Sequence, residues 1–318
     1  MSVYTHTSRP QLEKFLDHYS IGSLKYFSGI QAGIENTNYA ITSTKGKFIL
    51  TLFESFSIKE LPCYLELLNY LCQNNFPSPK PQTSVSAQLL TTLNNKPAAL
   101  FTCLPGCSID NPSINQCYEI GQYLAKLHLC TEQYHFNKPN KKNMTAWLTV
   151  FDKIKHHLTN DHVKLLSSEL NFQSTHALPV LPQGTIHGDL FRDNVLFEKN
   201  QVSGILDFYN ACTDYLLFDI AITINDWCIE DSVIHQQKFK ALLSGYQKFR
   251  VLQSDEKKHL PIFLRRAALR FYLSRLNHQL NPKKGVLILA KDPEVFRQLL
   301  ENHRTNQELF NDICLSTQ

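Results

Sequence analysis

The distribution of strand and helix patterns along these 318 residues most constrains the fold. Up to residue 105, short runs of β-branched and aromatic residues alternate with turn residues. From Asn115 onward, apolar residues recur mainly at the 3.6-residue spacing of a helix. A chain of this length usually divides its hydrophobic core. We therefore predict an α+β fold with a β-rich N-terminal lobe over 1–105 and a mostly helical C-terminal lobe over 106–318.

The predicted elements of the first lobe are two helices and five strands. The first helix follows an N-cap at Ser8, and the second presents an apolar face from Leu61 to Leu71. The strands are predicted at 24–30, 36–43, 47–53, 87–93 and 98–104. Turns at Thr44–Gly46 and Asn94–Asn95 fit hairpins. In the second lobe, helices are predicted from 115 and over 145–158, 161–170, 232–250, 256–279 and 293–303, with a β-rich stretch over 185–208.

Composition excludes several classes of function. The net charge of +4 is spread along the chain without a basic block, which argues against nucleic acid as a partner. No apolar run reaches membrane-spanning length, and residues 1–10 do not resemble a secretory signal. Nine cysteines without a CxxC pair suit reduced thiols better than a disulfide framework. We expect a cytoplasmic protein that acts on a small molecule.

The densest group of polar residues lies within the β-rich stretch, from Thr185 to Tyr209. Two short strands over 194–198 and 202–206 predict an antiparallel hairpin. A hairpin centred between Asn200 and Gln201 would place Asn194 opposite Asp207, beside the segment 187–189. Carboxylate and amide oxygens too few for a closed cage suit Mg²⁺, which takes further ligands from water and phosphates. This predicts phosphoryl transfer, although Asp and Asn also cap turns and end strands.

These residues match a known pattern. The run His187–Asn194 (HGDLFRDN), followed by Ile205–Asp207 (ILD), resembles the catalytic and metal-binding loops of the aminoglycoside phosphotransferase and choline kinase superfamily, which has the protein kinase-like fold. Four further segments resemble the homoserine kinase branch, and with them the resemblance covers nearly the whole chain: Gly33–Tyr39 (GIENTNY), Phe48–Glu54 (FILTLFE), Asn225–Cys228 (NDWC) and Arg270–Leu276 (RFYLSRL).

The resemblance implies an ATP-dependent transferase that phosphorylates the side-chain hydroxyl of L-homoserine, a step of threonine biosynthesis. It implies Asp189 as catalytic base and Asn194 and Asp207 as Mg²⁺ ligands, with Asn194 also counted as catalytic. His187 and Asp219 would support the catalytic loop, and Asp219 also fits an N-cap. The implied ATP contacts come from the loop after the first strand, the third strand and the interlobe hinge: Gly29, Gly33, Asn36, Thr37, Asn38, Thr51, Thr102 and Leu104.

The sequence departs from the kinase pattern at Thr51. Protein kinases place a phosphate-binding lysine at this strand position. Lys45 or Lys47 could supply the charge from nearby, or Mg²⁺ and backbone amides could suffice. In protein kinases a glutamate of the following helix pairs with that lysine. Glu60 and Glu66 are the candidates here, and without the lysine neither has a defined role.

The acceptor site is predicted from an apolar helix that carries several arginines. Arg266 and Arg270 share a face at spacing i, i+4. Their partners could be protein carboxylates or the α-carboxylate of an amino-acid substrate. Asn225 and Asp226 could bind the substrate ammonium group or cap their own turn.

Two alternative functions stay open at this point. The first is a kinase of another small alcohol, such as choline, ethanolamine, a sugar or an aminoglycoside. The second is a catalytically silent kinase-like binding protein, which Thr51 would suit but the set Asp189, Asn194 and Asp207 would not.

Overall fold

Contacts between residues divide the chain into two units. The computed structural model describes residues 4–31, 35–281 and 292–306. Of these, the first unit comprises the residues up to Gly106 together with Ser203–Leu206, and the second comprises the others. Ser203–Leu206 joins the first unit because Ser203 Oγ donates to Pro105 O and Ile205 N donates to Pro77 O, each over 2.7 Å. The predicted boundary at 105/106 did not include this added segment.

The first unit contains an antiparallel sheet of five strands in the order β1-β2-β3-β5-β4. Its elements are α1 Arg9–Leu16, β1 Leu24–Ile30, β2 Thr37–Ser43, β3 Gly46–Leu52, α2 Pro62–Gln73, β4 Thr91–Leu93 and β5 Lys96–Thr102. Burial alternates along β2, as expected of a strand with one face on a core. That core includes the buried residues of α1, Leu12, Phe15 and Leu16. The predicted strands and helices of this lobe are confirmed in number and order, but β4 covers only 91–93 of the predicted 87–93, and β5 covers 96–102 rather than 98–104.

Local signals in the first unit behave as the sequence predicted. Ser8 is the N-cap of α1 and forms a capping box with Gln11. Asn94 and Asn95, which connect β4 to β5, have φ values of 50° and 61°. Positive φ at both central residues is the requirement of a type I′ hairpin, and asparagine tolerates it better than most residues.

The second unit is mainly helical. Its elements, with the neighbouring strand β8, are α3 Ile114–Cys130, α4 Met144–Ile154, α5 Asn160–Thr175, β6 Gln183–Ile186, β7 Val195–Glu198, β8 Gln201–Ile205, β9 Cys212–Tyr215, α6 Leu216–Trp227, β10 Ile229–Glu230, β11 Val233–Ile234, α7 Gln236–Gln247, α8 Ser254–Leu280 and α9 Glu294–Thr305. Antiparallel pairs form between β6 and β9 and between β10 and β11. Helix α8 packs against α4, α5, α6 and α9 and is the centre of this unit.

Three predictions in the second lobe need correction. Helix α6 was not predicted over its own range, because all of its residues are buried and it has no polar face to reveal a period. The helix predicted over 232–250 begins only at Gln236. Asp231 and Ser232 have positive φ, and they form the turn between β10 and β11 that precedes it.

The third correction concerns the register of the β7–β8 hairpin. Strand β7 ends at Glu198 and β8 begins at Gln201. The two residues between them, Lys199 and Asn200, have φ values of 49° and 65°. A two-residue turn of this kind centres the hairpin between Lys199 and Asn200, one residue earlier than predicted. Asn194 and Asp207 still flank the same end, because one precedes β7 and the other follows β8.

No helix in the described ranges is long and apolar enough to cross a membrane.

Candidate active site

The loop that carries Asp189 is held by a buried carboxylate. It follows β6, and the backbone amides of His187 and Gly188 donate to Asp219 Oδ2 and Oδ1 over 2.7 and 2.8 Å. Asp219 lies in the first turn of α6 and is fully buried. The N-cap alternative for Asp219 is wrong, because Tyr215 occupies that position. Its carboxylate instead accepts hydrogen bonds from the backbone of the Asp189 loop.

Asp219 stays ionised despite its burial. Burial alone would raise the pKa of Asp219, but the hydrogen bond and charge of His128 and the Gly188 amide outweigh it and lower this pKa below its usual value. His128 Nε2 lies 3.2 Å from Asp219 Oδ2, and its Nδ1 lies 2.8 Å from Tyr246 Oη. A charged, hydrogen-bonded carboxylate therefore holds the backbone of the loop at His187 and Gly188.

Backbone geometry explains the glycine before Asp189. Gly188 has a φ of +73°, and a Cβ atom there would lie 2.8 Å from the backbone oxygen of Asn210. Both facts exclude a side chain. On the other side of Gly188, His187 Nδ1 accepts a 3.2 Å hydrogen bond from the Asp189 amide, and the His187 ring packs on Phe208. These two contacts hold His187 between the Asp189 amide and Phe208.

The carboxylate of Asp189 is half-buried and only partly engaged. Its Oδ2 accepts a 3.2 Å hydrogen bond from Asn210 Nδ2, and among the described residues its Oδ1 accepts none. The backbone oxygen of Asp189 accepts from Phe191 N and from Asn194 Nδ2, at 2.8 and 2.9 Å. Hydrogen bonds thus hold the backbone at Asp189, while one carboxylate oxygen has no hydrogen-bond donor among the described residues.

The two proposed metal ligands have the donor chemistry that Mg²⁺ requires. The Asn194 amide nitrogen is held by the Asp189 backbone oxygen, which directs its Oδ1 away from that bond. Asp207 has φ and ψ of 59°, the left-handed region that is unusual for a residue with a side chain. Such strained residues concentrate at functional sites. One carboxylate and one amide oxygen fit a cation that completes its shell with water and phosphate oxygens.

The loop residues predicted to contact ATP lie in the first unit. Gly29 is exposed on β1 and pairs with Tyr39, whereas Gly33 lies outside the described residues. Asn36 is buried, and its Oδ1 has no hydrogen-bond partner in the described ranges. Thr37 is fully buried, and its hydroxyl donates to Glu54 Oε1 over 2.7 Å, a structural bond.

The remaining predicted ATP contacts lie on β2, β3 and β5 and, for Leu104, two residues after β5. Thr51, which stands where kinases have lysine, donates to Asn38 Oδ1 over 2.7 Å. Thr102 Oγ1 accepts from Lys80 N over 2.9 Å. The backbone amide of Leu104 donates to no acceptor in the described part of the chain. The Leu104 amide is thus a free donor, whereas Asn38, Thr51 and Thr102 already have protein partners.

Helix α8 supplies a buried arginine, Arg270, beside the loop that carries Asp189, with its guanidinium 4.7 Å from the Phe271 ring centre. Arg270 is 3% exposed, and its Nε and Nη1 have no hydrogen-bond partner among the described residues. Its Nη1 lies 3.9 Å from where a Cβ of Gly188 would stand. Burial lowers the pKa of Arg270, and the negative charge of Asp189 opposes this shift. Arg266 is half-buried, with its guanidinium 5.2 Å from the Trp147 ring centre.

Asn225 and Asp226, which were predicted to contact the substrate, form hydrogen bonds within the protein. Asn225 is fully buried, where its amide nitrogen donates to Leu264 O and its oxygen lies 2.8 Å from His303 Nε2. Asp226 Oδ2 accepts from both the backbone N and Nε of Arg192, at 2.7 and 3.1 Å. These bonds tie α6 to α8, α9 and the catalytic loop.

Sequence reasoning missed two residues of the hydrogen-bond chain that ends at the Asp189 carboxylate. Asn210 contacts the Asp189 carboxylate, and Lys142 Nζ donates to Asn210 Oδ1 over 2.6 Å. No motif marks either residue. Lys142 comes from the connection between α3 and α4, far from the catalytic loop in sequence.

Comparison with solved structures identifies the class of fold. An amicoumacin kinase in complex with AMP-PNP and Ca²⁺ superposes with a TM-score of 0.71 at 18% identity, covering 96% of this chain and 94% of that chain. A choline kinase from Cryptosporidium parvum gives a TM-score of 0.66 at 12% identity and covers 98% of each chain. The chain therefore has the fold of these small-molecule kinases, which confirms the predicted α+β, protein kinase-like class.

Comparison of sequences identifies the family. The phosphotransferase enzyme family matches residues 27–252. The homoserine kinase of Methylobacillus flagellatus is 40% identical over 303 residues, which are 95% of this chain and 95% of that protein. The chain belongs to the phosphotransferase enzyme family, and over nearly its whole length it is similar to homoserine kinases. The predicted family is thus confirmed.

Proposed function

We propose that this protein is an ATP-dependent homoserine kinase, which transfers the γ-phosphate of ATP to the side-chain hydroxyl of L-homoserine. Membership of the phosphotransferase family supports the reaction. Similarity at 40% identity over 95% of the chain to a protein named homoserine kinase supports the acceptor over choline, a sugar or an aminoglycoside. The product would be O-phospho-L-homoserine, an intermediate of threonine biosynthesis.

Asp189 is proposed to accept the proton of the attacking hydroxyl. Its Oδ1 accepts no hydrogen bond from the described residues, so a substrate hydroxyl can bind there. Positioning and charge neutralisation account for most of the rate in phosphoryl transfer. The hydrogen bonds that fix His187 and Gly188 to Asp219 supply the positioning.

Asn194 and Asp207 would hold Mg²⁺ through Oδ1 of the amide and the carboxylate. When bound, Mg²⁺ neutralises charge on the phosphate oxygens. Asn194 has a second task, since its Nδ2 bond to the Asp189 backbone oxygen couples the metal ligand to the base. ATP is proposed to contact Gly29, Gly33 and the free backbone amide of Leu104.

The observation that carries the choice of acceptor is Arg270. Arg270 is 3% exposed, and its Nε and Nη1 have no hydrogen-bond partner in the part of the chain that the structure describes, which is costly unless a ligand supplies an anion. The α-carboxylate of an amino acid matches a guanidinium in bidentate geometry. Choline, ethanolamine and aminoglycosides are cations and offer no such group. Arg266, four residues earlier on the same face, could assist.

The test is ADP release with Mg-ATP and a panel of acceptors: L-homoserine, L-serine, L-threonine, choline, ethanolamine and kanamycin. We expect turnover with L-homoserine and loss of about 10³-fold in kcat in Asp189→Asn, with ATP binding kept. Asp193→Asn makes the same isosteric change four residues later and should retain activity. Turnover with a different acceptor would reject homoserine, and near-normal turnover in Asp189→Asn would reject the proposed base.

A further inference from the structure

A short chain of hydrogen bonds leads from the surface to the carboxylate of Asp189. Lys142 Nζ donates to Asn210 Oδ1 over 2.6 Å, and Asn210 Nδ2 donates to Asp189 Oδ2 over 3.2 Å. An ammonium group can only donate hydrogen bonds. The amide oxygen of Asn210 must therefore face Lys142, and its NH₂ group must face Asp189. An ionised carboxylate can only accept hydrogen bonds, so Lys142 and Asp189 both favour this orientation of the Asn210 amide.

Lys142 is itself held in place through its backbone. Its amide donates to Asn140 Oδ1 over 2.7 Å, and Asn140 Nδ2 donates to Asp214 Oδ2 over 2.6 Å. Two residues earlier, the amide of Thr213 donates to Lys138 O over 2.7 Å. The connection between α3 and α4 is therefore docked along β9, which starts two residues after Asn210.

The hydrogen bond from Asn210 also gives the two carboxylate oxygens of Asp189 different roles. With Oδ2 occupied by Asn210, the carboxylate plane has a preferred orientation, and Oδ1 is left to receive a proton. A freely rotating carboxylate would spend part of its time in unproductive orientations, and small misplacements of a reacting group are costly in rate. Lys142 contributes only if Asn210 is present to transmit its effect.

We propose that Asn210 and Lys142 are positioning residues for the catalytic base, with Lys142 acting through Asn210. The inference rests on the proposed role of Asp189 and not on which alcohol is the acceptor. It predicts that the effects of substituting the two residues are not additive, because Lys142 can act on Asp189 only while Asn210 is present.

The experiment is a double-mutant cycle on kcat with the acceptor that wild type turns over fastest. We expect Asn210→Ala to lower kcat about tenfold and Lys142→Met about threefold, with KM for ATP and acceptor unchanged. The double variant should lose about tenfold, as Asn210→Ala alone does, rather than the about thirtyfold loss of independent effects. A loss near thirtyfold, a changed KM, or an unchanged kcat in Asn210→Ala would overturn the proposal.

Two matched variants separate positioning from folding and from net charge. Asn210→Asp keeps an acceptor for Lys142 but cannot donate to Asp189, so it should lose at least as much kcat as Asn210→Ala. Lys141→Met removes the same charge from the neighbouring residue and should leave kcat unchanged.

A second readout needs no turnover, so it distinguishes this proposal from the proposed function. The side-chain amide signals of Asn210 in a ¹⁵N–¹H spectrum are identified by their absence in Asn210→Ala. We expect Lys142→Met to shift them in substrate-free protein, whereas Lys141→Met should not. Unshifted signals in Lys142→Met would reject the relay even if homoserine is phosphorylated.

Discussion

Helix α8 presents buried arginines in two different surroundings. Arg265 donates to both oxygens of Glu169, over 3.0 and 2.6 Å, and its guanidinium lies 3.7 Å from the Phe172 ring centre. Arg270, five residues later, is also buried and lies beside Gly188, but its Nε and Nη1 have no hydrogen-bond partner in the described ranges. The first arginine forms an ion pair within the protein. The second, which the negative charge of Asp189 influences, has no hydrogen-bond partner at Nε or Nη1 among the described residues.

We therefore expect Arg265 to contribute to the stability of the fold and Arg270 to the binding of a ligand. A buried ion pair such as Arg265–Glu169 is strongly destabilised when one partner is lost. An unpaired buried guanidinium costs stability in the free protein and recovers that cost only when an anionic ligand arrives. Sites that bind ligands commonly reduce the stability of the free protein in this way. The two arginines can therefore be distinguished by substitution.

The largest effect on stability is expected at Arg265. Arg265→Met leaves the fully buried Glu169 with only the hydrogen bond from Gln173 and the more distant Arg304, 3.8 Å away, and we expect the free energy of unfolding to fall by about 3 kcal/mol. Urea denaturation measures this loss. The double variant Glu169→Met with Arg265→Met should lose less, because no uncompensated charge stays buried. A loss below about 1 kcal/mol, or a raised acceptor KM in folded protein, would contradict a structural role.

Arg270→Met is expected to act in the opposite sense. Removing an unpaired buried charge should leave stability equal or raise it by about 1 kcal/mol. Without its carboxylate partner, kcat/KM for L-homoserine should fall about 100-fold, mainly through KM, while KM for ATP is unchanged.

The role of Arg270 can also be tested by comparing L-homoserine with an acceptor that lacks the α-carboxylate. Wild type should prefer L-homoserine to 3-amino-1-propanol, and Arg270→Met should lose this preference because it cannot recognise the group that distinguishes them. Arg266→Gln is the comparison on the same helix face. Selectivity retained in Arg270→Met would assign the carboxylate to another residue.

Much of the fold was predictable because its signals are local. The alternation of burial along β2 and the turns at Thr44 and Asn94 are properties of neighbouring residues. Helix α6 escaped prediction because a helix buried on all sides has no periodic pattern. The β7–β8 register was misplaced by one residue, because the run Lys199–Gln201 allows two turn positions and only the backbone conformation decides between them.

The site was predictable in part, for a related reason. Asp189, Asn194 and Asp207 lie within one short segment, so their motif is visible in the sequence. The task of each arginine on α8 depends on partners far along the chain, such as Glu169 for Arg265. The same holds for Asn225, whose partner His303 lies on α9. Spacing alone could not separate structural polar residues from those that face a ligand.

The smallest effect expected is a pH dependence that Arg265 helps to create. Burial, together with the charge of Arg265, lowers the pKa of His303 to about 3, from 6.5 in an exposed histidine. Between these values the unfolded chain binds a proton that the folded protein does not, so stability falls as pH falls below 6.5. At pH 5 the loss from this group is about 2 kcal/mol relative to pH 7.5.

Urea denaturation at the two pH values measures this dependence, and His303→Gln should reduce it by about 2 kcal/mol. Arg265→Met should reduce it by less, because burial, the larger cause of the shift, remains. Arg270→Met should leave it unchanged, since the charge of Arg270 is not among the causes of the His303 shift. A pH dependence altered equally by both arginine substitutions would mean that the two guanidinium groups are not electrostatically distinct, and the division between a structural and a ligand-binding arginine would fail.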